Sequence, residues 1–217
     1  TYITEKRVSI DSPIFDILKL CELRFEDFER LKHHAENQGL EFFSTPFDDE
    51  SVECLEEIGV NLFKVASFDV VNQKLLRRIA ETKKTIIMSV GMADLSEIRS
   101  AYKIIQSKTD NIALLHCVSA YPTIETDANL SVIRLLKKEF NCVIGQSDHT
   151  NDIRVPLYAV AGGAQALEKH FRIDENMDCI DASVSITELQ MKKMVEEVRI
   201  IEKIFGEGDL GLRSAEE

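Results

Sequence analysis

Two histidines raise the first chemical question in this sequence. CVIGQSDHT (Cys142 to Thr150) and AQALEKHFRID (Ala164 to Asp174) each begin as an apolar run and end in a polar group holding one histidine. Side chains two apart on a strand share a face, so Ser147 points with His149, and Glu168 with His170. If these strands are parallel neighbours, both imidazoles stand at one end of the sheet, within reach of a single metal ion. A lone histidine beside an apolar run is more often a satisfied structural group than a ligand. These two differ in sitting at strand ends among acids (Asp148, Glu168, Asp174, Asp181). Neutral imidazole with oxygen co-ligands suits a divalent ion such as Mn²⁺, and no close cysteine favours a structural zinc site. His116 reads as structural, and His33 and His34 as solvated.

A second pattern is a series of hydroxyls. Apolar run after apolar run closes on one: Ser44-Thr45, Ser67, Ser89, Ser119 and Ser147. Serine is common where strands turn into loops, and any one of these needs no further explanation. Five in register point to neutral donors converging on a phosphate or carboxylate. Lys64, three residues before Ser67, could add the charge.

The elements that must position these groups alternate along the chain. Strands are expected from about residues 41, 61, 85, 112, 142 and 164, beginning with EFFSTPF (Glu41 to Phe47). Helices are expected over Phe25–Gln38 and Ser51–Ile58, then from Gln73, Asp94, Asn129, Pro156 and Thr187. Asp94 with Glu97, and Thr187 with Gln190, have the spacing of capping boxes. The strands are apolar throughout, as in a parallel sheet covered on both faces. Such alternation means an α/β fold, either an open sheet or a closed barrel; no GxGxxG or P-loop follows the first strand, which disfavours a nucleotide-binding open sheet.

The chain has 217 residues, 44% hydrophobic and 29% charged, with a formal charge of −12. That is ample for a buried core, and one domain over residues 1–217 is expected. The negative balance argues against nucleic acid or an anionic membrane as partner, so an anionic substrate needs a local cluster. The five cysteines show no CxxC pairing and, three of them lying in or beside apolar runs, read as reduced core residues of a cytoplasmic protein. No signal peptide or membrane span is visible.

Six ordered motifs then carry a resemblance: FFSTPFD (Phe42 to Asp48), FKVASFD (Phe63 to Asp69), IIMSVGMA (Ile86 to Ala93), ALLHCVSAYPT (Ala113 to Thr123), GQSDHT (Gly145 to Thr150) and EKHF (Glu168 to Phe171). The chain resembles the sialic-acid-type (nonulosonate) synthases, among them N-acetylneuraminate and pseudaminic acid synthases. The resemblance implies a (β/α)8 TIM barrel that condenses phosphoenolpyruvate with an N-acetylated amino sugar, with a divalent metal (Mn²⁺ or Mg²⁺), usually as a homodimer. It implies His149 and His170 as metal ligands. It places Thr45, Lys64, Ser67, Ser89, Ser119, Tyr121 and Ser147 around phosphoenolpyruvate. Asp69, Glu168 and Asp181 would touch the sugar or assist the chemistry, Glu168 and Asp181 as catalytic residues.

Departures from the family pattern are equally specific. The chain is expected to carry about the last six βα units, with Thr1-Tyr2 matching the tail of the second strand. The first two units, their glutamate and Lys-x-Gln residues, and the C-terminal antifreeze-like domain are expected to be absent. Phe68 and DASVS (Asp181 to Ser185) resemble the pseudaminic pattern, His116-Cys117 the neuraminate one. Cys179-Ile180 replaces the usual Gly-Pro, and Val90 a common threonine. Two other readings stay open. One is another barrel aldolase or lyase, with Lys64 as a Schiff-base nucleophile. The other is a non-catalytic sugar- or phosphate-binding barrel remnant.

Overall fold

The apolar runs become the strands of one parallel sheet. The computed structural model describes residues 2–3, 9–10, 19–177, 179–206, 208 and 210. Tyr2–Ile3 (β1) and Ser9–Ile10 (β2) form a two-residue antiparallel pair of their own. Then come Leu62–Val65 (β3), Thr85–Ser89 (β4), Ile112–Cys117 (β5), Val143–Asp148 (β6) and Leu167–Lys169 (β7), hydrogen-bonded in chain order. The helices are Phe25–Asn37 (α1), Asp49–Glu57 (α2), Gln73–Glu81 (α3), Leu95–Gln106 (α4), Ser131–Glu139 (α5), Arg154–Ala161 (α6) and Glu188–Phe205 (α7).

Local chemistry explains several boundaries. Asp94 accepts hydrogen bonds from the Ser96 and Glu97 amides while Glu97 accepts from the Asp94 amide, the reciprocal box its spacing predicts for α4. Thr187 and Gln190 do the same for α7. Gly59 adopts φ +74° just after α2, a left-handed turn that costs glycine nothing. The core lies between sheet and helices, where Phe63, Leu76, Ile86, Met88, Leu114 and Ile144 are fully buried.

One expected strand is not formed. Glu41 to Phe47 has no regular ladder; a single hydrogen bond, from the Lys64 amide to the Ser44 carbonyl (3.1 Å), ties it to β3. Pro46 lacks an N–H and can donate to no ladder there, and the stretch takes no regular element. Among the described residues the parallel sheet therefore has five strands where six were expected. Tyr2–Ile3 pairs with Ser9–Ile10, not with this sheet. The last strand is also shorter than Ala164 to Phe171, although Phe171 forms an isolated bridge with Ile186.

The sheet is curled. β3 and β7 are its outermost strands, which in a flat sheet would lie roughly 19 Å apart at ordinary strand spacing. Yet Lys64 Nζ on β3 is 3.6 Å from Glu168 Oε1 on β7. Only a sheet bending toward closure brings these side chains together. The architecture is a half-barrel of parallel strands flanked by helices, part of a (β/α)8 barrel. No helix among the described residues is long and apolar enough to cross a membrane.

Candidate active site

Inside the curl, at the C-terminal strand ends, a hollow of roughly 240 Å³ gathers Lys64, Ser67, Ser89, Cys117, Ser119, Tyr121, Ser147, His149, Glu168 and His170. Alternation on the strands does this directly. Cys117 and Ser147 are register partners on β5 and β6, and Ser147 and Glu168 on β6 and β7. All three face inward with the residues two positions on.

Lys64 is the cation of the group. Its Nζ donates to Ser89 Oγ (2.8 Å) and to the Val65 carbonyl (3.1 Å). Burial pulls its pKa below the usual lysine value, and the Glu168 carboxylate only partly restores it. Ser147 Oγ donates to Glu168 Oε1 at 2.6 Å. Ser67 Oγ accepts from the Gly91 amide (3.0 Å), and a Cβ at Gly91 would sit 2.6 Å from Ser119 Oγ. Glycine thus lets backbone approach the hydroxyls closely.

The two histidines converge as expected. Their ring centroids are 5.4 Å apart, and Tyr121 stacks on His149 at 4.0 Å and meets His170 edge-on at 5.5 Å. His149 Nδ1 lies 2.8 Å from the Val118 carbonyl, which can only accept. The proton therefore sits on Nδ1, and the Nε2 lone pair is free. His170 Nδ1 faces Asp181 Oδ2 at 3.4 Å, the same arrangement with a carboxylate. Burial lowers the His170 pKa, Asp181 opposing, which favours the neutral imidazole a metal needs. Tyr121, pushed up to about 12 by burial and by the Cys117, Asp181 and Glu168 charges, keeps its proton. Among the described residues no group of three His, Cys, Asp or Glu side chains gathers closely enough to hold a metal alone. The chemistry of the donor pair, two imidazoles whose Nδ1 atoms each face an oxygen acceptor, fits a divalent ion completed by other oxygens.

Two expected residues stand apart. Thr45 lines a neighbouring hollow with Phe25, Phe28 and Ser51. Asp69 is buried in the 3-10 turn after β3, where its Oδ1 accepts from Asn72 Nδ2 (3.0 Å) and its Oδ2 has no partner. His116 faces away, its Nε2 2.7 Å from the Ala128 carbonyl. Cys117, read from sequence as a core residue, is buried but lies in the site, its sulfur 3.8 Å from His149 Nδ1. Its two-residue spacing from Ser119 puts it on the same inward face, but only the curl of the sheet brings it against His149.

A buried charge pair was also missed. Behind the histidines, on the opposite face of β6 and β7, Asp148 Oδ2 and Lys169 Nζ lie 2.7 Å apart with side chains 2% and 1% exposed.

Fold and site together define a (β/α)-barrel protein with a ring of hydroxyls around one lysine beside an imidazole pair, at the end of the strands where barrels carry their chemistry. The chain belongs to the NeuB family, whose model matches residues 1–210. It is similar to N,N'-diacetyllegionaminic acid synthase from Campylobacter jejuni, with 38% identity over 206 residues, 94% of this chain and 62% of the relative. Pseudaminic acid synthase from the same species (strain 81-176) is 34% identical over 92% of this chain and 58% of its own. The crystal structure of an N-acetylneuraminic acid synthetase from Leptospira borgpetersenii, in complex with citrate, superposes with a TM-score of 0.92 at 39% identity, covering 98% of this chain and 74% of that one. The chain thus spans about three-fifths of the length of the curated relatives it matches.

Proposed function

We propose that this chain carries the catalytic core of a nonulosonic (sialic-acid-like) acid synthase, which condenses phosphoenolpyruvate with an N-acetylated amino sugar and releases phosphate. The observation that carries the reading is the convergence of Lys64 and the serine hydroxyls on one point bounded by the histidine pair. A buried ammonium with neutral donors suits the phosphate or carboxylate of phosphoenolpyruvate, in a molecule whose overall charge would repel it.

In the proposed reaction carbon 3 of phosphoenolpyruvate forms a bond to the aldehyde carbon of the open-chain sugar. Water adds at carbon 2, and the bond from carbon 2 to the phosphate oxygen breaks, leaving a keto acid and inorganic phosphate. Lys64, Ser67, Ser89 and Ser119 hold the anion, with Thr45 at the margin. Ser147 and Tyr121 orient it against the histidines. A divalent ion held by His149 and His170, Mn²⁺ or Mg²⁺, would act as a Lewis acid on the aldehyde oxygen. Glu168 is placed to take the proton of the attacking water, and Asp181 keeps the His170 proton on Nδ1; Asp69, expected to touch the sugar, is turned away from the hollow. All five cysteines are free thiols, which accords with a cytoplasmic setting.

The test is incubation of the intact protein with Mn²⁺, phosphoenolpyruvate and a panel of 2-acetamido and 2,4-diacetamido sugars, read by mass spectrometry. A nine-carbon keto acid with one sugar is expected, and His149→Ala and His170→Ala should each abolish it. Turnover unchanged in either variant, after metal is stripped and restored, would sink the ligand assignment. A borohydride-trapped pyruvate adduct at Lys64 would replace the mechanism with a Schiff-base aldolase.

A further inference from the structure

The Asp148–Lys169 pair has no part in the reaction as proposed, and stability alone accounts for it poorly. Taking both charges out of water costs about as much as their attraction returns, and an apolar pair of similar volume often serves a fold as well or better. What an apolar pair cannot supply is direction. Here direction is abundant. Asp148 Oδ2 accepts from Lys169 Nζ (2.7 Å), Thr150 Oγ1 (2.7 Å) and the Thr150 amide (3.2 Å), while Oδ1 accepts from Gln146 Nε2 (3.1 Å). Lys169 Nζ also donates to the Thr150 carbonyl, closing a loop across the two strands.

The placement of these bonds matters more than their number. Asp148 and Lys169 are the last register partners of β6 and β7. The next residue on each strand is a histidine, and the strand ladder does not pair those two. His149 therefore sits between Asp148 and Thr150, both clamped to the opposing strand through Lys169. From the other side the Thr123 amide donates to the His149 carbonyl (2.9 Å), and the Ile186 amide to that of His170 (2.9 Å). The ion pair is the final side-chain brace between the strands before they hand over to the two imidazoles.

We propose that Asp148 and Lys169 are positioning residues that set the separation and aim of His149 and His170, and through them the affinity of the site for a divalent cation. The inference rests on the histidine pair being the metal site. Outer groups that orient metal-binding histidines typically change affinity by about 10- to 100-fold when removed.

The experiment is Mn²⁺ binding to the chelator-stripped intact protein, by electron paramagnetic resonance and calorimetry, with thermal melting in parallel. Wild type is compared with the double variant Asp148→Leu/Lys169→Met, with Thr150→Val and with His149→Ala. The double variant replaces both charges with apolar groups, so it is expected to melt near wild type yet bind Mn²⁺ about 10-fold or more weakly. Thr150→Val removes one clamp with no change of shape, and should weaken Mn²⁺ binding several-fold even if the double variant does not fold. Wild-type affinity in Thr150→Val, or in a folded double variant, overturns the positioning role. Wild-type affinity in His149→Ala instead overturns the histidine assignment beneath it.

Discussion

Lys64 is held by burial in a state unlike that of a surface lysine, and its function should show this. Its ammonium is the charge that the hydroxyl ring lacks, so Lys64→Met should raise the Michaelis constant for phosphoenolpyruvate about 10- to 100-fold, the worth of one charge-assisted hydrogen bond. The pKa direction adds a sign. Burial depresses the lysine value below 10.5, so the charge, and with it phosphoenolpyruvate affinity, falls as pH rises through a value lower than that of a surface lysine. Calorimetry between pH 7 and 10 should show that fall in wild type and a flat profile in Lys64→Arg, whose guanidinium does not titrate there. A flat wild-type profile would remove Lys64 from the anion site. At this scale sequence was informative: a two-residue period placed Ser147 with His149 and Glu168 with His170 before any coordinates. It could not show that Tyr121 stacks on His149 or that Cys117 joins the site, because those contacts depend on how far the sheet curls and how loops return over it.

Among the elements, β6 is the tightest piece of construction. Gly145 sits where a Cβ would run into the Ala166 carbonyl and come within 2.7 Å of Leu115 Cδ2. Backbone on one side and a core side chain on the other leave no room to yield, so Gly145→Ala should destabilise by about 1–3 kcal/mol or more. A urea midpoint equal to wild type would show that β6 and β7 can part without cost. Capping boxes at Asp94 and Thr187 were legible because both partners lie within one turn of sequence. The stretch Glu41 to Phe47 was not, since its aromatic pattern reads as a strand while Pro46 and the lack of a regular ladder partner decide otherwise. Helix α1 shows the same limit. Phe25, Phe28 and Leu31 have helical spacing and the helix forms, yet none of its residues is buried among those described.

At the scale of the whole molecule, the proposed cation site would link binding to folding. A ligand that binds only the folded chain stabilises it by mass action, roughly 2.7 kcal/mol at a hundred times its dissociation constant. Mn²⁺ should therefore raise the melting temperature of wild type, a chelator should reverse the rise, and His149→Ala should lack it. A rise that persists in His149→Ala would place the ion elsewhere. The barrel architecture was legible from regular alternation and from hydroxyls recurring at strand ends, but five strands are paired where six apolar runs were counted.

The meeting of Lys64 with Glu168 has a consequence for how the protein comes into being. The two residues lie about a hundred positions apart in the chain and on the outermost strands of the sheet. Their contact can form only after every intervening strand has paired and the sheet has bent, and contacts of such long sequence separation are slow to close. The proposed anion site is therefore a late product of folding. A chain that has collapsed and gained its helices still has no place for phosphate, and competence to bind it marks the moment the curl is complete.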